Sequence, residues 1–146
     1  TTMDAVAREV ESDTTYTQII EASRTAKRET VADGIVAAAR EIAETTNVRA
    51  ICCFSESGST ALRVARERPR VPILALTNER ATARRLCLLW GTLTVVVPPV
   101  DRFKAAVVAA VRASLATGLA TEKDIIVVTA GVPFNTPGST NILRVA

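Results

Sequence analysis

The sequence contains no histidine. That excludes a Ser-His-Asp triad, a Cys-His nucleophile pair and any zinc site built on histidine. Aromatic residues are nearly as scarce, at 3% of the chain. With 48% hydrophobic residues, the core must be aliphatic, assembled from Ala, Val, Ile and Leu. No apolar run reaches the roughly 18 residues that span a bilayer, and the N-terminal residues lack the make-up of a signal peptide. These absences predict a cytoplasmic protein with no membrane partner. Cysteine is limited to Cys52, Cys53 and Cys87. An odd count, with two neighbours inside an apolar run, is no disulfide framework. Adjacent strand residues face opposite ways, so Cys52 and Cys53 are predicted to be buried small hydrophobes rather than a redox pair. An excess of one charge is also missing. Eighteen basic residues stand against 15 acidic ones, for a net charge of +3 spread along the chain. That predicts a mixed solvated surface and no nucleic-acid partner.

What is present is 146 residues, the size of one domain. Charged residues at 23% beside that apolar content predict a folded chain. The opening Thr1-Thr2-Met3 reads as a piece excised from something longer. Residues 1–14 are predicted as a linker or lead-in helix, 15–47 as leading helices and 48–146 as the sheet-containing core. Tyr16, Ile19, Ile20 and Ser23 share one helical face over Thr14–Arg28. Val31, Ile35, Ala38, Ala39 and Ile42 mark an amphipathic helix over Glu29–Thr45, with Arg40 and Glu44 one i,i+4 step apart.

Strand and helix signals then alternate. Val48–Phe54 (VRAICCF) is a predicted strand, and Ala61–Arg68 a helix ending before Pro69. Val71–Thr77 is a second strand and Glu79–Trp90 a second helix of this series. Thr92–Val97 is a third strand, closed by Pro98-Pro99. Asp101 is placed to cap a helix over Arg102–Thr117, and Gly118 to end it. Asp124–Thr129 and Thr140–Val145 are the last two strands, with no helix between them. The apolar runs VVV (95–97) and IIVV (125–128) predict buried central strands. The whole predicts an α/β three-layer sandwich. Its five-stranded mixed sheet has order 3-2-1-4-5, with the last strand antiparallel and helices on both faces.

In such sheets ligands bind beyond the strands' carboxyl ends, where strand order reverses. The segment after the first strand is Ser55-Glu56-Ser57-Gly58-Ser59-Thr60. Gly58 permits close backbone approach. The serines and Thr60 offer hydroxyls, and a helix starts there with free N–H groups and the positive end of its dipole. These residues fit a phosphate cradle, and they also fit an ordinary helix cap. Neither a Walker ending nor a GxGxxG is present. The loop from Gly131 to Asn141, with Pro133, Pro137, Gly138, Ser139 and Thr140, is long for a hairpin. It is either a structural turn or the other wall of the same crevice. Arg80, Arg84 and Arg85 form a basic helical face, solvated or at a subunit contact. Trp90 reads as core or interface. Glu41, Glu44 and Glu79 show no metal-ligand spacing, and no acid/base pair of carboxylates stands out.

Taken together, four pieces resemble the C-terminal domain of pyruvate kinase. They are the S-x-S-G-x-T-A loop (55–61), the RP-x-V-PI-x-A-x-T segment (68–77), the TAR…WG helix (82–91) and the G-x6-GSTN ending (131–141). The similarity extends over essentially the whole chain, including YTQIIEASR and VADGIVAAAREIA. It implies a parent enzyme that moves a phosphoryl group from phosphoenolpyruvate to ADP with Mg2+ and K+. The chemistry of that family lies in a separate (β/α)8 barrel, whose lysine and metal carboxylates have no counterpart here, so this domain has no catalytic residue, metal site or cofactor. The resemblance implies a regulatory and oligomerisation role. Ser55, Glu56, Ser57, Gly58, Ser59 and Thr60 would hold an effector's phosphate. Trp90, Gly131, Pro137, Gly138 and Ser139 would border its sugar or nucleotide end. Fructose-bisphosphate-binding members carry basic residues where this chain has Glu56 and Ser59. An anionic Glu56 disfavours a second phosphate, so the expected effector is a monophosphate, a sugar monophosphate or AMP. Two alternatives stand beside it. One is a pure assembly domain meeting its copies through Arg80–Trp90 or Lys104–Ser114. The other is a free-standing phosphate-ester enzyme, for which only Glu56 lies near the loop.

Overall fold

The computed structural model describes residues 1–23 and 30–146. The predicted end of one leading helix at Arg28 and start of the next at Glu29 lie outside the described residues. The elements are α1 (Thr2–Ser12), α2 (Thr14–Ser23), α3 (Val31–Thr45), β1 (Val48–Phe54), α4 (Ser59–Arg66) and β2 (Ile73–Thr77). They continue with α5 (Arg80–Leu86), β3 (Thr92–Val96), α6 (Phe103–Ala116), β4 (Ile125–Gly131) and β5 (Thr140–Val145). The sheet order is β3-β2-β1-β4-β5, parallel except for β4–β5. Both the order and the antiparallel last strand agree with the sequence reading.

Period-two alternation divides the strands between two cores. Ile51 and Cys53 of β1, Ile73 and Ala75 of β2 and Val127 of β4 pack against Val36 and Ala39 of α3, Val64 of α4 and Leu86 of α5. Ala50, Cys52 and Phe54, with Leu74, Leu76, Ile126 and Val128, face Ala106, Val107 and Ala110 of α6. Cys52 and Cys53 therefore enter different cores, and both are fully buried. Burial pushes the Cys52 thiol up to about 11 and Cys53 higher still. Each buried aliphatic side chain contributes about 1.5–3 kcal/mol, and a sheet covered on both faces can consist of such residues almost throughout.

Three expectations need correction. The VVV run is not central: β3 is an edge strand, and Val96 is 48% exposed. A run of valines reports β-propensity, which an edge strand shares with a central one. On α3 the buried stripe is Ala32, Val36, Ala39, Arg40 and Ala43, while Val31 and Ala38 are exposed. So many alanines blur the hydrophobic phase that the sequence offers. The third correction concerns Asp101, which does not cap α6. The N-cap is Arg102, which makes no side-chain capping bond, and Asp101 lies beside the Arg102 guanidinium instead. Gly118 does follow α6 with a positive φ of 73°.

The lead-in segment proves helical, and neither α1 nor α2 buries a residue fully. Polar contacts attach these helices to the rest. Trp90 Nε1 donates to Glu11 at 2.9 Å, and Arg40 of α3 pairs with Glu21 of α2. No described helix is long and apolar enough to cross a membrane.

Candidate functional site

The chain runs from β1 outward to β2 and β3, then returns to β4 on the other side of β1. That reversal leaves a crevice beyond the carboxyl ends of the parallel strands. Four segments line it: Phe54–Ser57 with Ser59 and Thr60, Leu76–Asn78, Val97–Val100, and the β4–β5 loop at Gly131 and Phe134–Thr140. Its cavity is small, about 70 Å³, and open to solvent.

The loop after β1 is built as a turn into a helix. Gly58 is the N-cap of α4, with φ +90°. A Cβ there would stand 3.1 Å from Leu86 Cδ2 and 3.4 Å from Thr82 Cγ2, so both conformation and packing require glycine. Gly58 is buried behind the loop and lines none of the crevice. Ser55 Oγ accepts from the Thr60 N–H at 3.3 Å, and Ser57 Oγ from the Ser59 N–H at 3.4 Å. Ser57 Oγ also donates to Ser59 Oγ at 3.2 Å. Among the described residues no acceptor engages the N–H groups of Glu56, Ser57 or Gly58. Successive free amides before a helix form an anion-binding concavity, and the helix dipole adds positive potential.

The opposite wall is tied to this loop. Thr60 Oγ1 and Thr140 Oγ1 share a buried hydrogen bond of 2.6 Å. Gly131 lets the hairpin close, because a Cβ there would lie 2.9 Å from the Ser139 backbone. Asn141 accepts from the Val132 N–H at 2.9 Å and donates to the Val132 carbonyl at 2.6 Å. Its amide therefore zips the hairpin rather than facing a ligand. Ser139 Oγ donates to the Thr136 carbonyl at 2.7 Å.

Electrostatically the crevice is sparse. Among the described residues Glu56 is its one charged lining residue, and it is exposed. The rest are hydroxyls, the Asn78 and Asn135 amides, and an apolar wall of Phe54, Val97, Pro98, Pro99, Val100 and Phe134. A chain with only 3% aromatic residues has placed two of its phenylalanines here.

The structure thus brings Ser55, Glu56, Ser57, Ser59 and Thr60 together with Gly131, Pro137, Gly138 and Ser139. It does not bring Trp90. That residue follows α5 and precedes β3, at the amino end of the sheet, where it lines a separate cleft with Arg40, Arg68 and Glu11. Arg68 stacks over its ring at 4.7 Å. A helix that returns between parallel strands carries its last residues to the edge opposite the ligand, so the border role expected of Trp90 is withdrawn. The sequence reading does not single out Asn78 or Val97–Val100. Both follow from the carboxyl-end rule applied to the loops after β2 and β3, and Pro98-Pro99 marked one of them.

Comparison with known proteins agrees with this architecture. The family described as "Pyruvate kinase, alpha/beta domain" matches residues 33–146. A pyruvate kinase of Methylorubrum extorquens is 39% identical over 145 residues, covering 99% of this chain and 30% of that protein. One from Agrobacterium vitis is 41% identical over 143 residues, covering 98% and 30%. One from Geobacillus stearothermophilus is 35% identical over 144 residues, covering 99% and 24%. The chain therefore spans less than a third of the length of these relatives.

Proposed function

The chain belongs to the pyruvate kinase family, as its C-terminal α/β domain, and we propose that it is a regulatory and oligomerisation module whose crevice takes a phosphomonoester effector. One observation carries this reading: the unengaged amides of Glu56 and Ser57 lie before α4 at a crevice walled by the β4–β5 loop. A phosphate dianion seated there receives charge-assisted hydrogen bonds from amides and hydroxyls. No lysine is needed, because the helix terminus supplies the positive potential.

The remainder of the crevice sets the class of ligand. The apolar wall of Phe54, Val97, Pro98, Val100 and Phe134 takes a ring, that of a base or a sugar face. Glu56 accepts from a hydroxyl and repels a second phosphate. A sugar monophosphate or AMP meets these conditions, whereas a bisphosphate meets Glu56. Regulation then requires the effector to bind two quaternary states unequally, since only differential affinity moves such a balance.

The parent's reaction, from phosphoenolpyruvate and ADP to pyruvate and ATP, belongs in this proposal to a separate barrel. The Mg2+ and K+ of that reaction belong in this proposal to the same barrel. Among the described residues no three of Cys, Asp and Glu converge as metal ligands. Calorimetric titration of the chain with AMP, a hexose monophosphate and a hexose bisphosphate tests the reading. Binding of a monophosphate in preference to the bisphosphate is expected, with no phosphoenolpyruvate-dependent ATP synthesis. Silence across the panel overturns it.

A second reading, a pure assembly domain, is favoured by the outer face of α6. Val108, Val111 and Leu115 lie at helical spacing there and are 43%, 36% and 39% exposed. Concentration-dependent self-association together with a silent titration would favour that reading.

A further inference from the structure

We infer that Arg85 is a positioning residue for the anion crevice, acting from behind the loop through the Ser57 carbonyl; this rests on the phosphomonoester reading above. The crevice poses an electrostatic problem, since its one charged lining residue among those described is an acid. Arg85 stands in the last turn of α5, outside the crevice. Its Nη2 donates to Thr82 Oγ1 at 3.1 Å and reaches the Ser57 carbonyl oxygen at 3.5 Å. Among the described residues no carboxylate lies within ion-pair distance of it, so its charge is not neutralised locally.

The geometry makes this contact directional. Thr82 and Leu86, both buried, stand against Gly58, so α5 is packed firmly behind the turn. A trans peptide holds its C=O and N–H on opposite sides. With the Ser57 carbonyl held toward Arg85, the Gly58 N–H is directed away from α5. The guanidinium thus holds the turn that carries the unengaged Glu56 and Ser57 amides of the crevice and adds a cation behind the loop. A charge in such a place acts over several ångströms and is weakened by salt. Arg84, next in sequence and also exposed, makes no contact with the loop and serves as a matched control.

The test is calorimetric titration of the full chain with AMP, or with a hexose monophosphate if the wild-type chain prefers it, at low and high salt. Arg85→Gln is expected to weaken binding about fivefold, the size of an exposed charge interaction, and to flatten its salt dependence. Arg85→Lys restores affinity to within about twofold, and Arg84→Gln leaves it unchanged. Urea midpoints of all three variants stay at the wild-type value, a readout that a merely structural role would move. Wild-type affinity in Arg85→Gln, an equal loss in Arg84→Gln, or failure of Arg85→Lys to restore binding overturns the inference. A wild-type chain silent to both monophosphates overturns the phosphomonoester reading itself, and this one with it.

Discussion

The two ends of the sheet differ in chemistry, with unengaged backbone donors at one and arginines at the other. At the amino end a cleft of about 640 Å³ is lined by Arg40, Arg68 and Arg70. Those arginines already have partners. Arg40, nearly buried, meets Glu21 and Glu44, Arg70 lies 3.1 Å from Glu44, and Arg68 stacks on Trp90. At the carboxyl end no cation among the described residues lines the crevice, yet the Glu56 and Ser57 amides there engage no protein acceptor. A guanidinium paired with a carboxylate has less to offer a ligand, because part of its field is cancelled locally, although the buried Arg40 Nε makes no hydrogen bond among the described residues. Unsatisfied donors at a helix start are available without breaking anything.

The largest expected break in this comparison comes from Ser59→Asp. A carboxylate at the first residue of α4, inside the crevice, is expected to lower phosphomonoester affinity at least tenfold, measured by calorimetry. It leaves the fold intact, since acidic residues suit the first turn of a helix. Gly58 is the wrong position for that test, because any side chain there strains the turn and meets Leu86.

Next in size is Thr60→Val. It strands the buried Thr140 hydroxyl and is expected to cost about 1–3 kcal/mol in urea unfolding. The double variant with Thr140→Val recovers part of that loss, because no polar group is then left unpaired. A smaller effect is expected of Trp90→Leu. It removes the Arg68 stack, worth about 0.5–1 kcal/mol. Monophosphate affinity stays unchanged, which would mark the two ends as separate. A shift in affinity beyond twofold would join them.

The thiols report on the same packing at a finer scale. Cys87 is exposed, whereas Cys52 and Cys53 are buried with raised pKa. A thiol reagent at neutral pH is expected to modify one cysteine in the native chain and three in denaturant. The smallest effect lies in acid. Hydrogen bonds from the Thr121 amide and hydroxyl hold the Asp124 carboxyl below its ordinary range. A depressed folded pKa contributes stability that is present above the unfolded value and lost as pH falls through the folded one. Asp124→Asn is therefore expected to lower stability slightly at neutral pH, where that contribution is present, and to leave acid stability nearly unaffected, so that the acid limb flattens.

Much of the crevice was legible in the residues, for particular reasons. Ser55 to Thr60 stood out because a glycine among hydroxyls between a strand and a helix is a local pattern with a local cause. The Gly131–Asn141 loop stood out because its glycines and prolines punctuate the chain. Trp90 was misplaced because its distance from the loop depends on the direction in which α5 returns, which composition around the tryptophan does not show. Arg85 read as one of three solvated arginines, since its contact with Ser57 spans 28 positions. The exposed β3 edge and the rotated face of α3 failed for a related cause. Valine and alanine fit their elements equally well whichever side is covered.

By itself the sequence determined the alternation of strands and helices, the antiparallel pairing of the last two strands and the aliphatic core. Those follow from periodicity, from the missing helix between the last two strands and from the shortage of aromatic residues. Only the tertiary structure decided which donors remain unpartnered, which arginines are neutralised and which end of the sheet each residue reaches. Pairing and distance are properties of groups far apart in the chain, and packing alone brings them together or keeps them apart.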